Sequence, residues 1–279
     1  MADRPGPSAD AEAWLSAFRR ACDRIGDEVA RMAPERRAEP CGRGAGGDIT
    51  VLVDRVAEDI VVEELEALGR PLTLVSEELG VRELGGGGPP LVVVDPIDGS
   101  LNAKRGMPVF ATSIALADGH RMADVTAGLV RDHGTGEEYV AERGRGTWLD
   151  GRPLPAHATS PGGVVELLML EGARPSRVVR AAGALDGRVG RLRAIGSLAL
   201  SLCHTAAGRA DAMVGLGPGR AVDIAAAQLV AREAGLIVGL PAPDLLDGAP
   251  LDVTTRSHVV AARDHSTLDL LAAVLPRPR

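Results

Sequence analysis

The chain has 279 residues, a net charge of −7 at pH 7, 45% hydrophobic residues and only 2% aromatics. That length supports one large α/β domain or two subdomains, with a core of Val, Leu, Ala and Ile. The acidic balance argues against a nucleic-acid-binding surface as the main function.

Residues 1–8 read as a frayed tail. Trp14, Leu15, Phe18, Cys22, Ile25, Val29 and Met32 recur at helical spacing, and Pro34 ends that helix. Residues 34–47 read as a loop, charged and then glycine-rich. The loop holds Gly42-x-Gly44-x-x-Gly47, which matches the dinucleotide fingerprint in letters. It follows Pro40 and Cys41 rather than a strand, so no cofactor is assigned to it. A second helix spans Val53 to Leu68, with Asp54 in its first turn, where an acidic side chain also suits the helix dipole. Leu72 to Ser76 reads as a strand ending in Glu77-Glu78, and Gly85 to Pro90 as a link.

Val92, Val93 and Val94 then predict a buried strand. Pro96 cannot continue a central ladder, so this strand is expected to end at Asp95. Asp98-Gly99 is a turn signal, and the residues after it can open a helix whose first N–H groups are free. Two carboxylates at a strand end beside an anion-binding helix start are the parts of a metal-plus-phosphate site, although the same residues also suit a plain surface turn.

Strands over Val109–Ala117, Val125–Val130, Glu138–Ala141 and Thr147–Leu149 form an antiparallel meander with turns at Asp118-Gly119 and Asp150-Gly151. The second half alternates differently. Strands are predicted over Val164–Leu170, Leu192–Ile195, Ala210–Val214 and Val259–Ala262. Helices are predicted over Ser176–Gly183, Ser197–Ala207, Asp223–Ala234 and Ser266–Val274. Such alternation points to a mixed sheet covered on both faces, an α/β (α+β) class. The chain divides into 1–153, with most candidate ligands, and 154–279, with the last ligand and the substrate-binding region.

Glu77-Glu78, Asp95 with Asp98, and Asp223 are three carboxylate groups at strand ends or a helix start, which converge at one edge of an α/β sheet. Ligation by oxygen alone suits Mg²⁺. The six histidines form no H-E-x-x-H and are expected at the surface, and Cys22, Cys41 and Cys203 form neither a C-x-x-C pair nor a zinc spacing. Those cysteines suit a reducing compartment. No basic-then-apolar leader and no uncharged run of about 18 apolar residues is present, so a cytoplasmic protein without membrane contact is expected. A metal site beside a phosphate-binding turn implies phosphoryl chemistry. Without a P-loop or a kinase motif set, water is the acceptor, and the reaction is phosphomonoester hydrolysis.

These residues resemble the inositol monophosphatase superfamily in order and spacing. The likeness rests on Val75-Ser76-Glu77-Glu78-Leu79-Gly80, Asp95-Pro96-Ile97-Asp98-Gly99-Ser100-x-Asn102 and Val222-Asp223-Ile224-Ala225-Ala226 with Glu233-Ala234-Gly235. Gly47-Asp48-Ile49-Thr50 leading to Asp54, Gly144-x-Gly146-Thr147-Trp148, and Arg193-Ala194-Ile195-Gly196-Ser197 leading to Gly208-Arg209-Ala210-Asp211 add to it. The pattern is most like the archaeal-type inositol monophosphatase / fructose-1,6-bisphosphatase enzymes.

The resemblance implies a layered α/β/α/β/α sandwich, a homodimer, and a small phosphate monoester as substrate, inositol 1-phosphate and/or fructose 1,6-bisphosphate. It implies that Glu77, Asp95, Asp98, Asp223 and the carbonyl of Ile97 bind Mg²⁺, with Glu78 behind them. Asp54, Glu77 and Ser100 would be catalytic, Ser100 orienting the water with Asp54 as its base. Gly99 and Ser100 would hold the phosphate, with Asp223 and Arg220 as further substrate contacts. Arg220 also reads as a solvated loop charge. The chain departs from the pattern at Ser100, Ala103 and Val222. At Leu216 animal-type inositol phosphatases carry an acidic residue. The same chemistry on 3′-phosphoadenosine 5′-phosphate or histidinol phosphate is the alternative, with a non-catalytic binding protein on the same fold as a third reading.

Overall fold

The computed structural model describes residues 6–45, 47, 49–155, 165–241 and 243–275. Residues 1–5 of the expected tail, Asp48, and Val164 at the head of an expected strand lie outside them. Helix α1 (Ala9–Arg31) starts at Ser8, whose hydroxyl accepts the N–H of Ala11 at 3.3 Å. Its Leu15, Phe18, Cys22 and Ile25 side are buried as the helical spacing requires. It packs against α3 (Leu52–Glu66).

Residues 34–47 are not a plain loop. They hold a helical turn, α2 (Pro34–Arg37), and strand β1 (Pro40–Arg43), which pairs antiparallel with β2 (Ile49–Val51). β1 is exposed throughout, so no alternation of apolar residues marks it in sequence. The glycine fingerprint therefore lies in a hairpin, not in the strand-to-helix turn that a dinucleotide needs.

Eight strands make the first sheet, in the order β10-β9-β8-β7-β6-β5-β3-β4. They are β3 (Leu72–Ser76), β4 (Gly80–Leu84), β5 (Leu91–Asp98), β6 (Ala111–Ala117), β7 (Val125–Asp132), β8 (Glu138–Glu142), β9 (Gly146–Leu149) and β10 (Arg152–Pro153). Only β3 and β5 are parallel neighbours among them. β4 was not expected. It is a short edge strand whose middle residues Val81, Arg82 and Glu83 are exposed, and its charges leave no apolar period.

The expectation that β5 ends at Asp95 is corrected. β5 runs on to Asp98 through a bulge: Asp95 pairs with Ser113 and Asp98 with Ala111, two intervening residues against one. A bulge does not need the missing N–H of Pro96. In a regular strand, residues three apart face opposite sides. The extra residue turns Asp98 to the side of Asp95. One turn of helix follows, α4 (Ser100–Lys104).

Five strands make the second sheet, in the order β12-β11-β13-β17-β15. They are β11 (Val165–Glu171), β12 (Val189–Arg193), β13 (Ala212–Gly215), β15 (Ile237–Gly239) and β17 (Val260–Ala262), while β14 (Gly219–Arg220) pairs with β16 (Arg256–Ser257). β12 replaces the strand expected at Leu192–Ile195. β15 and helix α8 (Pro243–Gly248) were not expected, both being too short to show a period.

Helices α6 (Leu198–Ala206) and α7 (Ala221–Glu233) lie between the sheets. α5 (Pro175–Leu185) and α9 (His265–Ala273) bury Ala181, Leu185, Leu268 and Leu271 against the outer face of the second sheet. The layers are therefore α1/α3, sheet, α6/α7, sheet, α5/α9: an α/β/α/β/α sandwich. Gly128 of β7 lets α7 come close: a Cβ there would meet the Ala226 Cα at 3.0 Å. No helix among the described residues is long and apolar enough to cross a membrane. His120 and His265 are exposed as expected, but His133, His204 and His258 are partly buried and hydrogen-bonded.

Candidate active site

Three separate segments deliver the carboxylates. Glu77 follows β3, Asp95 lies late in β5 and Asp223 sits in the first turn of α7. One oxygen of each lies within 4.8 Å of the others. Parallel pairing of β3 with β5 brings the first two side by side, and α7 packs across that sheet to add the third. Asp95 is only 3% exposed. Burial first, and then the neighbouring acids, push Asp95 well above the usual carboxylate range. Glu77 rises to about 7 for the same reasons, burial before the charge of Asp223, although Arg220 opposes the shift.

The structure places Arg220 on Glu77. Its buried guanidinium donates from Nη1 to Glu77 Oε1, and its backbone N–H donates to Asp223 Oδ2 at 2.7 Å. The residue expected at the substrate therefore braces two of the acids, Glu77 with its side chain and Asp223 with its backbone N–H.

Asp98 stands beside this cluster. Its Oδ2 accepts from Ser197 Oγ and from the N–H of Ala199 at 2.8 Å, and its Oδ1 accepts from Leu198 N–H at 3.3 Å. Asp98 thus caps α6 from a distant strand. Burial still pushes it to about 7 against those hydrogen bonds.

Gly99 turns the chain with φ 93°, a left-handed conformation, and a Cβ there would sit 3.1 Å from the Val109 carbonyl. Ser100 Oγ lies 2.9 Å from the Ile97 carbonyl and also within hydrogen-bonding reach of Asp54. Asp54 is buried in the first turn of α3, with Lys104 Nζ at 4.0 Å from Oδ2. Burial raises it to about 6, and its Oδ1 has no hydrogen-bond partner. Glu78 accepts from Thr50 Oγ1.

A cavity of about 500 Å³ opens beside Asp98 and Asp223. Its other walls include Glu171, Arg177, Gly217 and Gly219. Leu216, where an acidic residue was sought, is buried among Leu170, Val214 and Val260 and gives the cavity nothing. Two charged lining residues, Glu171 and Arg177, carry no motif that singles them out. Glu171 accepts the N–H groups of Ile195 and Gly196, each at 3.0 Å, and the Ser201 hydroxyl at 2.7 Å. Its signal was a strand closing on an acid and glycine, Glu171-Gly172, before the Pro175 helix start.

The donors fit a hard divalent cation. All are oxygens, three converge, and their charges resist ionisation without a counter-ion. Asp54 Oδ1 adds an unpartnered acceptor beside them.

Layers and acids together define a phosphate-ester-cleaving sandwich. The inositol monophosphatase family model matches residues 10–277. The chain is 36% identical over 255 residues to a fructose-1,6-bisphosphatase/inositol-1-monophosphatase of Methanothermobacter thermautotrophicus, covering 86% of this chain and 89% of that one. It is 29% identical to a bifunctional NADP phosphatase/NAD kinase of Methanococcus maripaludis, covering 73% of this chain and 39% of that one. The crystal structure of an inositol monophosphatase–fructose 1,6-bisphosphatase superposes with a TM-score of 0.81 at 28% identity, covering 94% of this chain and 99% of that one. The chain belongs to the inositol monophosphatase family, a family of phosphoric monoester hydrolases.

Proposed function

We propose that the chain is a Mg²⁺-dependent phosphomonoesterase for a small sugar or polyol phosphate, inositol 1-phosphate and/or fructose 1,6-bisphosphate. The observation that carries this is the convergence of Glu77, Asp95 and Asp223 within 4.8 Å beside the Ser100–Asp54 pair. These three acids hold Mg²⁺, joined by Asp98 through Oδ1, whose 3.3 Å hydrogen bond is its longest, and by the Ile97 carbonyl. When bound, the metal supplies a water of lowered pKa and neutralises phosphate charge.

Asp54 takes a proton through Ser100, a hydroxyl–carboxylate relay of ordinary general-base type. The N–H groups of Gly99 and Ser100 hold the phosphate, Asp223 faces the substrate as well as the metal, and Arg220 holds Glu77 in place. The working unit is a cytoplasmic homodimer, in keeping with the family resemblance. An adenine nucleotide such as 3′-phosphoadenosine 5′-phosphate finds no aromatic platform among the described lining residues.

Phosphate release with Mg²⁺ and with EDTA tests this on inositol 1-phosphate, fructose 1,6-bisphosphate, histidinol phosphate and 3′-phosphoadenosine 5′-phosphate. Metal-dependent turnover of either of the first two is expected. Asp95→Asn should lower it by at least about a hundredfold through lost charge stabilisation. Near-normal Mg²⁺-dependent turnover in that variant would move the site elsewhere.

A further inference from the structure

We infer that Glu58, a buried carboxylate on α3, positions the proposed metal ligand Glu77 by closing the loop that carries it. The inference rests on the reading above that Glu77 holds Mg²⁺, and it adds the residue that sets where this ligand points. Glu77, Glu78 and Leu79 form the loop between β3 and β4, whose last paired residues are Ser76 and Gly80. Loop side chains move more readily than those on strands, while a metal ligand must be held close to its working geometry. One atom of Glu58 supplies that hold. Its Oε1 accepts the Ser76 hydroxyl and the Leu79 N–H, the latter at 2.9 Å. Those donors stand immediately before and after the Glu77-Glu78 pair, so a single oxygen ties both ends of the loop to α3. Other groups reach the loop from outside. Arg220 takes the Glu77 carboxylate from the start of α7, and Thr50 takes that of Glu78. The Glu78 carbonyl accepts the Ala45 N–H at 2.8 Å, but Ala45 is exposed. Glu58 holds the loop from the core, at 0% exposure.

An acid at this depth is expensive. Glu58 Oε2 has no hydrogen-bond partner among the described residues, and Arg55 Nη1 stands 3.8 Å from it. Burying a carboxylate costs more than filling the same space with an apolar side chain. What the carboxylate adds is an acceptor whose charge strengthens both hydrogen bonds. Glu58 also shares the buried face of α3 with Asp54, four residues before it and one helical turn away. Asp54 reaches toward Ser100, and Glu58 toward the loop. One rigid helix therefore places both the proposed base and the anchor of the proposed ligand, about 6 Å apart along its axis.

The test compares wild type with Glu58→Leu, Glu58→Gln and Ser76→Ala, and with Ile25→Ala, a core truncation in α1 that serves as the stability control. Calorimetry should show Mg²⁺ bound about tenfold more weakly in Glu58→Leu, the usual cost of losing a group that orients a ligand. Half-saturating Mg²⁺ in turnover should rise in step, with kcat at saturating Mg²⁺ held. Ser76→Ala removes one of the two hydrogen bonds and should weaken Mg²⁺ binding about threefold. Glu58→Gln keeps an acceptor oxygen and should recover most of the affinity. In EDTA, the Leu79 amide should exchange its hydrogen faster in Glu58→Leu than in wild type, which reads the loop without metal. Mg²⁺ affinity that is unchanged in Glu58→Leu, or that falls as far in Ile25→Ala, overturns the inference. Should Glu58→Leu fail to fold, unchanged affinity in Ser76→Ala overturns it. Faster exchange at Leu79 with unchanged affinity rejects the link from loop to metal and leaves the metal reading standing. Wild type that binds no Mg²⁺ overturns the metal reading, and the positioning of a ligand with it.

Discussion

In the proposed reaction Asp54 is the residue on which proton transfer would turn. Its Oδ1 is buried without a partner, and burial outweighs Lys104 and Ser100 to set its ionisation near 6. A carboxylate must be ionised to accept the Ser100 proton, so its useful fraction falls as pH drops through that value. At the proposed site, saturating Mg²⁺ would hold Glu77 and Asp98 ionised, which would leave Asp54 to shape the acid limb. The kcat/KM profile should therefore decline on the acid side with a slope of one proton, at a pH no higher than about 6, because a bound cation nearby lowers Asp54 further. Asp54→Asn should lower kcat on the order of a hundredfold, the usual worth of a positioned base, while calorimetry shows Mg²⁺ still bound. Weak Mg²⁺ binding in that variant would make Asp54 a ligand instead of a base.

The bulge in β5 is the element that builds the site, and a short chain of polar groups holds it. Thr112 Oγ1 donates to the Pro96 carbonyl at 2.8 Å. His133 Nε2 lies 2.8 Å from the same hydroxyl and must be the donor there. Burial holds His133 down to about 4, so the ring is neutral at pH 7 with its proton on Nε2. Thr112→Val keeps the shape and strands both partners, at a cost of about 1–3 kcal/mol. Tm should fall, and the Mg²⁺ needed for half-maximal activity should rise, because Asp95 and Asp98 flank the loosened carbonyl. Thr112→Ser should restore both. A lowered Tm with unchanged Mg²⁺ demand would confine Thr112 to stability. This element also shows where sequence stops being legible. The helical period located α1 and α3, valines located the core of β5, and motif spacing located Glu77, Asp95 and Asp223. Pro96 reads locally as a stop, because only the partner strand reveals a bulge. β1, β4 and β15 are too short or too exposed to carry a period. Arg220 and Glu77 are 143 residues apart, and nothing local to either predicts their pairing.

At the scale of the molecule, the candidate metal ligands come from both sides of one interior. Glu77, Asp95 and Asp98 belong to the first sheet, while Asp223 rides on α7, wedged between the sheets. We propose that the halves 1–153 and 154–279 meet functionally at this cluster, so that metal binding and folding are linked. The sign of the linkage follows from the acids. Glu77 and Asp98 ionise near 7 in the metal-free fold, against ordinary values of 4.5 and 3.8. Between those values the folded chain keeps protons that the unfolded chain has released. Their stabilisation is thus complete below the ordinary values and is lost as pH rises through 7. Mg²⁺ bound at the proposed site would take the place of those protons, so its effect should grow over the same range. His133 has the opposite sign, since its depressed value withdraws stability as pH falls from 6.5 toward 4. Working from pH 6.5 to 8 separates the two. In EDTA, Tm should fall across that interval, and the rise in Tm on adding Mg²⁺ should widen. A Mg²⁺ increment independent of pH would mean that the ion binds to groups already ionised at the surface, because only acids that must give up protons on binding can make the increment grow.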